Sequence, residues 1–343
     1  MWAEVAVTAG KLLVIAVAML TSVPIMVWVE RRGAAFIQDR LGPNRVGPLG
    51  LFQPIIDVVK LLFKEDVTPG AANKGLYLLA PLLAISVALV TFIVIPFGAG
   101  SDVEVFGVPL DGLMVASHLD VGVLYLLALS SLSVYGIVLA GWGSNNKYSL
   151  LGALRSSAQL ISYELAMTVA VLGVLMATGS LRLDHVVQHQ AEHGWNVIPQ
   201  LLGFVVFITA AFAETNRLPF DLAEAETELV AGYHVEYSAM KFAAFFMSEY
   251  LNMATVSALL VTLFFGGWTF PGMHLLSGWP LLVASAIVFA IKMGFFLWVF
   301  VWVRWSLPRF RYDQLMALGW KGLLPLAVVN LVWVGVGLAV GWL

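Results

Sequence analysis

The sequence predicts an all-α integral membrane protein, with eight transmembrane helices and one amphipathic helix lying in the interface. Three observations carry this. Of its 343 residues, 60% are hydrophobic and 11% charged, where a soluble domain carries roughly 25% charged residues. Mean hydropathy is +0.91. Several uncharged stretches match the roughly 20 residues needed to cross a bilayer. Such a chain cannot cover a water-exposed surface, which excludes a soluble enzyme, and it is too apolar to stay disordered. A net charge of −3 leaves no basic surplus for nucleic acid, and the absence of cysteine excludes disulfides and thiolate-held metals or clusters within the chain.

The chain reads as one polytopic domain over 1–343. Its spans fall near 11–29, 76–97, 119–141, 158–178, 198–217, 244–266, 280–303 and 322–342. The first is too long, and too poorly flanked by small residues, for a cleaved signal peptide. The fourth reaches full length only by taking in Glu164. The uncharged run 250–291 divides into two spans at Gly266-Gly267 and Pro271-Gly272. Loops after spans 1, 3, 5 and 7 hold 15 of the Lys and Arg residues, and loops after spans 2, 4 and 6 hold one, Arg182. The positive-inside rule then places the odd loops in the cytoplasm and both termini on the other side.

The first cytoplasmic loop opens with Glu30-Arg31-Arg32 and turns at Gly42-Pro43 and Gly47-Pro48. Residues 51–64 then read as a helix. Gln53, Asp57, Lys60 and Lys64, spaced 4, 3 and 4 apart, draw one polar stripe on an otherwise apolar cylinder. That pattern fits a helix in the membrane interface, beside which a lipid-soluble molecule would leave the bilayer. It also fits a helix packed on the bundle.

The third cytoplasmic loop inverts the usual charge. Between 214 and 236 stand Glu214, Asp221, Glu224, Glu226, Glu228 and Glu236, with one base, Arg217. Asp221 reads as an N-cap for a helix placing Glu224 and Glu228 one turn apart, where like charges disfavour each other. A solvated loop, or one that docks a basic partner, fits the same residues.

Ionisable groups inside spans are functional candidates by default. Glu164, Glu214 and Glu249 fall about 10, 6 and 8 Å in from the cytoplasmic ends of spans 4, 5 and 6, and Lys292 about 18 Å into span 7. They form either a proton path or ion pairs that fix packing. His185, His189 and His193 repeat every fourth residue in an outer loop, without the carboxylate or thiol that a zinc site adds. No dinucleotide fingerprint, phosphate-binding loop or H-E-x-x-H motif is present.

Longer motifs narrow the reading. Glu30-Arg31-Arg32, Gly42-Pro43-Asn44-Arg45-Val46-Gly47-Pro48, Gly50-Leu51-Phe52-Gln53-Pro54, Lys147-Tyr148-Ser149-Leu150-Leu151-Gly152 and Ile161-Ser162-Tyr163-Glu164 come in order. Ala213-Glu214-Thr215-Asn216-Arg217, Pro219-Phe220-Asp221-Leu222, Glu224-Ala225-Glu226, Glu228-Leu229-Val230, Glu236-Tyr237-Ser238, Glu249-Tyr250 and Arg309-Phe310-Arg311-Tyr312-Asp313-Gln314-Leu315 follow. Across residues 24–325 this resembles the quinone-module membrane subunit of respiratory complex I, the bacterial NADH:quinone oxidoreductase, whose mitochondrial counterpart is NADH dehydrogenase subunit 1. The resemblance implies a multi-pass subunit of a bacterial inner membrane that is not catalytic alone. It implies a quinone chamber involving Glu30, Arg31, Arg40, Asp57 and Lys60, and a coupling loop of Asp221, Glu224, Glu226 and Glu228. It implies a proton path through Glu164, Glu214, Glu249 and Lys292. Quinone is the substrate, FMN and iron–sulfur clusters reside in partner subunits, and the partners are the other complex I subunits and lipid. A related subunit of a ferredoxin-, deazaflavin- or hydrogenase-linked complex, or a stand-alone cation or proton transporter, would share the buried charges.

Overall fold

A computed structural model describes residues 2–100, 103–110, 113–116, 119–222 and 232–341. Helix α1 runs Trp2–Ile37, α2 Gln53–Phe63, α3 Lys74–Val90, α4 Gly122–Gly143, α5 Lys147–Thr178 and α6 Leu183–His193. Then come α7 Leu201–Glu214, α8 Ala239–Phe264, α9 Gly278–Ser306, α10 Tyr312–Ala317 and α11 Leu324–Val340. A small antiparallel ribbon pairs β1 Glu104–Val105 with β2 Val108–Pro109. The all-α membrane class is as expected: among the described residues seven helical segments are long and apolar enough to cross a bilayer.

The centre of the bundle is α8. Every residue from Met253 to Phe264 is buried, as a helix that is apolar all round requires, and α8 packs against α1, α2, α3, α6, α7 and α9. The peripheral helices turn apolar stripes outward. On α9, Ile287, Ile291, Phe295, Trp298 and Trp302 are exposed at spacings of 4, 4, 3 and 4, the surface a helix presents to hydrocarbon.

Three elements depart from the sequence expectation. First, α1 continues through Glu30, Arg31 and Arg32 to Ile37, so these charges stand on a rigid helix and not in a loop. Second, α5 starts at Lys147, where the Asn146 side chain accepts the Tyr148 N–H as a cap. Hydropathy placed the start near 158 because Lys147 and Arg155 lie on the part of the helix outside the apolar run. Third, α7 has 14 residues, about 21 Å of rise against a core of about 30 Å. It is preceded by a turn over 196–200 that buries its Asn196 and Gln200 side chains in protein. The Val197 N–H donates to Phe264 O, and the Asn196 side chain donates to Leu263 O at 2.9 Å. Irregular backbone at membrane depth survives only with such partners.

The segment after α1 folds back on it. Arg32 Nη1 and Trp28 Nε1 both donate to Leu49 O, and Gly50 sits at φ +74° so close to Pro43 O that a Cβ would stand 2.2 Å from it. Only glycine fits there. This turn sets α2 alongside α1, with Asp57 opposite Arg31 and with Ile55, Ile56, Val59 and Leu62 exposed on the outer side.

Candidate functional site

The loop after α7 determines the site. Its first residues turn inward. The Arg217 N–H donates to Phe212 O, and the Gln159 side chain on α5 donates to both Ala213 O and Phe220 O at 2.8 Å. Thr215, Arg217, Phe220, Asp221 and Leu222 are all buried, so this part of the acidic segment is not the solvated loop that its composition allows. Glu224, Glu226 and Glu228 lie outside the described residues.

Thus directed, Arg217 enters the space between α1, α8 and α9 with 2% of its side chain exposed. Its Nε lies 2.5 Å from Glu249 Oε1 and its Nη1 lies 3.2 Å from Glu30 Oε2. The guanidinium covers the Tyr250 ring at 4.4 Å. Glu30 in turn pairs with Arg304 Nη1 at 2.6 Å and accepts the Tyr250 hydroxyl at 2.6 Å. Two carboxylates and two guanidiniums thus form a charge-balanced cluster. Balance is what allows such groups to sit out of water, because an unpaired member would carry the full desolvation penalty.

The cluster borders two cavities, and a third shares Glu214 and Asn252 with the second of them. One of about 540 Å³ is lined by Glu30, Arg31, Arg40, Tyr250, Arg304 and Trp305 among others, within the size range of small-molecule sites. A second of about 40 Å³ meets Glu249, Glu214, Asn216, Ser248 and Asn252. A third, also about 40 Å³, meets Glu214, Ser130, Ser133, Thr91 and Thr255. Each small cavity has room and polar walls for water. Glu214 Oε2 is sealed from solvent with no hydrogen-bond partner among the described residues. Beyond Ser130 lies Glu164, whose Oε1 accepts the Ser130 hydroxyl at 3.1 Å and the Ser131 hydroxyl at 2.5 Å. The large cavity, the charge cluster and the three carboxylates thus follow one another through one half of the bundle.

The expected residues divide accordingly. Glu30, Arg31 and Arg40 line the large cavity; Asp57 joins it through Arg31 at 2.5 Å, while Lys60 is exposed on α2. Glu249, Glu214 and Glu164 come together in sequence, as spacing implied. Lys292 does not join them. Its ammonium donates to the carbonyls of Phe265, Gly267 and Thr269 at 2.8–3.0 Å, beyond the C-terminus of α8. Glu249 is fifteen residues before the end of that helix, about 22 Å away along its axis. Hydropathy overlooked that a helix C-terminus supplies an acceptor set as good as a carboxylate for a buried cation. Asp221 is buried against Arg309 at 3.0 Å. At the far side of the acidic segment, Glu236 accepts from Asn146 at 2.7 Å, and burial pushes His234 down to about 4.

Sequence reasoning missed Arg217, Tyr250 and Arg304 as site residues. One signal was present: Arg217 is the lone base among six acids, and buried acids require a base. On α6, the His189 and His193 rings stack at 4.4 Å and His185 Nδ1 meets the Ser180 hydroxyl. Among the described residues no three His, Cys, Asp or Glu gather to hold a metal. Arg182 pairs with Asp184 and Asp120.

The family model described as NADH dehydrogenase matches residues 10–335. The chain is 50% identical over 334 residues to NADH-quinone oxidoreductase subunit 8 of Rhodothermus marinus, covering 94% of both chains. It is 49% identical to an NADH-quinone oxidoreductase subunit of Salinibacter ruber, covering 93% of this chain and 92% of the relative. It is 52% identical to an NADH-quinone oxidoreductase subunit of Deinococcus deserti, covering 94% of this chain and 82% of the relative. With a family model spanning nearly the whole chain and relatives at about half identity, this chain belongs to the NADH dehydrogenase family of NADH-quinone oxidoreductase membrane subunits.

Proposed function

We propose that this chain is the membrane subunit of a proton-pumping NADH:quinone oxidoreductase of a bacterial inner membrane, forming part of its quinone chamber and coupling quinone reduction to proton translocation. The observation that carries the reading is the charge-balanced cluster of Glu30, Arg217, Glu249 and Arg304. It lies between a cavity of about 540 Å³ and the Glu214–Glu164 series.

Reduction of a quinone to quinol takes up two electrons and two protons. The electrons come from partner subunits, which hold the FMN and iron–sulfur clusters. This chain supplies the membrane-side walls and the charge response. Tyr250 and Trp305 give the chamber aromatic faces, while Arg31, Arg40 and Arg304 give it positive potential. A change of charge in the chamber alters the pull of Glu30 on Arg217. Arg217 is shared with Glu249, so the change is passed to the carboxylate that faces Glu214. In this scheme Glu249, Glu214 and Glu164 carry the proton path, and Asp221, Glu224, Glu226 and Glu228 link it to the chamber. Lys292 anchors the outer end of α8.

The membrane arrangement in this proposal has eight crossings, with α7 and the buried 196–200 turn making the fifth and both termini on the non-cytoplasmic side. Helix α2 lies in the interface, its exposed Ile55, Ile56, Val59 and Leu62 in lipid.

The test is Asp57→Leu and Arg31→Ala in the assembled complex. Quinone reduction is expected to fall about two- to fivefold, the order of one lost part-exposed charge contact, while electron transfer to a water-soluble acceptor persists. Equal loss of both activities removes the chamber role. Mass spectrometry of co-purifying subunits identifies the electron-donor module, and proton transport by the chain alone in liposomes would favour a stand-alone transporter.

A further inference from the structure

The segment between α9 and α11 is tied at one end to the acidic loop and at the other to the turn of α5 that carries Glu164. At the loop end, Arg309 Nη2 lies 3.0 Å from Asp221 Oδ2. The Phe310 N–H donates to Pro219 O at 3.0 Å, and the Phe310 ring stacks on Phe220 at 5.5 Å and 16°. At the α5 end, the Tyr163 hydroxyl donates to Leu315 O at 2.9 Å and Trp320 Nε1 donates to the Ser162 hydroxyl at 3.2 Å. Tyr163 also meets Phe220, with ring centroids 5.5 Å apart. Ser162, Tyr163 and Glu164 are consecutive. Two of them hold the segment, and the third turns toward the Ser130 and Ser131 hydroxyls of α4.

The backbone between these grips is unusual. Residues Leu318–Leu323 form a π-helical turn between α10 and α11. A π-turn holds one residue more than the α-helix favours and concentrates at functional positions. Gly319 faces the Tyr163 ring, where a Cβ would lie 3.3 Å from Cε2. A one-residue change of register here would turn α10 by about 100° relative to α11. Leu315 and Arg309 would move with it.

We propose that residues 307–323 are a mechanical tie through which the state of the acidic loop sets the position of Glu164, with Tyr163, Arg309 and Trp320 as positioning residues. The inference rests on the reading of Glu164 as part of the proton path. A displacement of Asp221 moves Arg309 and Phe310, and the π-turn delivers it to Tyr163 and Ser162. The Glu164 carboxylate then tightens or loosens on its two serine donors.

The experiment measures protons translocated per quinone reduced, and the pH profile of coupled turnover, in vesicles holding the whole complex. Tyr163→Phe and Trp320→Phe each delete one donor and keep an aromatic ring, so packing survives. The expected result is about a twofold fall in the proton-to-quinone ratio, the order of one hydrogen bond's effect on an equilibrium. A displaced pH profile should accompany it, with uncoupled quinone reduction near the parental rate. Arg309→Gln should behave likewise and Arg309→Lys should recover most of the ratio. Glu164→Gln is measured beside them. If Glu164→Gln pumps at the parental ratio, the proton-path reading itself fails. If Glu164→Gln lowers the ratio but the ring-preserving variants move neither the ratio nor the pH profile, the tie is overturned and the segment only packs.

Discussion

Replacing Arg217 with Met deletes the shared cation of the charge cluster and leaves its neighbours intact. The side chain is 2% exposed, pairs with Glu249 at 2.5 Å and Glu30 at 3.2 Å, and stacks on Tyr250 at 4.4 Å. Glu30 keeps Arg304 at 2.6 Å and the Tyr250 hydroxyl, so Glu249 bears most of the loss. Breaking a buried pair by removing one partner costs about 3–5 kcal/mol. A domain's whole stability is about 5–15 kcal/mol, so the amount of assembled complex should fall several-fold on native gels. Arg217→Lys restores the charge without the fork that spans both carboxylates, and should recover only part. The double variant Arg217→Met with Glu249→Gln removes the Glu249 charge together with the base and should assemble better than Arg217→Met alone. The difference, read as a double-mutant cycle, should reach about 1–3 kcal/mol. If Arg217→Met assembles at the parental level, or Glu249→Gln makes it worse, the two residues are not energetically paired and the reasoning fails.

Cysteines placed at Lys147 and Leu275, both exposed and in a chain with no cysteine of its own, should label from opposite sides of the membrane. Labelling from one side would break the proposed topology between them. Lys292→Met abandons three carbonyls at the end of α8 and should destabilise the complex by about 2 kcal/mol or more, seen as a lower inactivation temperature. An unchanged temperature would show that the cap contributes nothing. His234 titrates near 4 because burial disfavours its charged form, so its neutral ring stabilises the 232–238 turn fully above pH 6.5. That contribution is lost as pH falls toward 4, about 2 kcal/mol by pH 5. Thermal inactivation should therefore accelerate between pH 7.5 and 5, and His234→Gln should narrow the difference. An equal difference in both proteins would place the acid sensitivity elsewhere.

The membrane class and the grouping of Glu164, Glu214 and Glu249 were legible in the sequence. Each depends on local composition and on the rise of a helix, quantities that need no knowledge of neighbours. The polar stripe of Gln53 and Asp57 was legible for the same reason. The structure turns that stripe toward Arg31. What tertiary structure decided was pairing. Glu30 meets Arg217 across 187 residues and Tyr250 across 220, so no window of sequence could show that a glutamate at the end of the first span belongs to the same cluster as a loop arginine. Lys292 shows the converse: its place midway along an apolar helix was legible, but its acceptors are backbone carbonyls, which every residue carries and which only the end of a packed helix leaves available. The shortness of α7 was hidden too, because residues 196–200 are as acceptable to a hydropathy window as helix is. The packed end of α8, by accepting from the Asn196 side chain and the Val197 N–H, holds them as a turn.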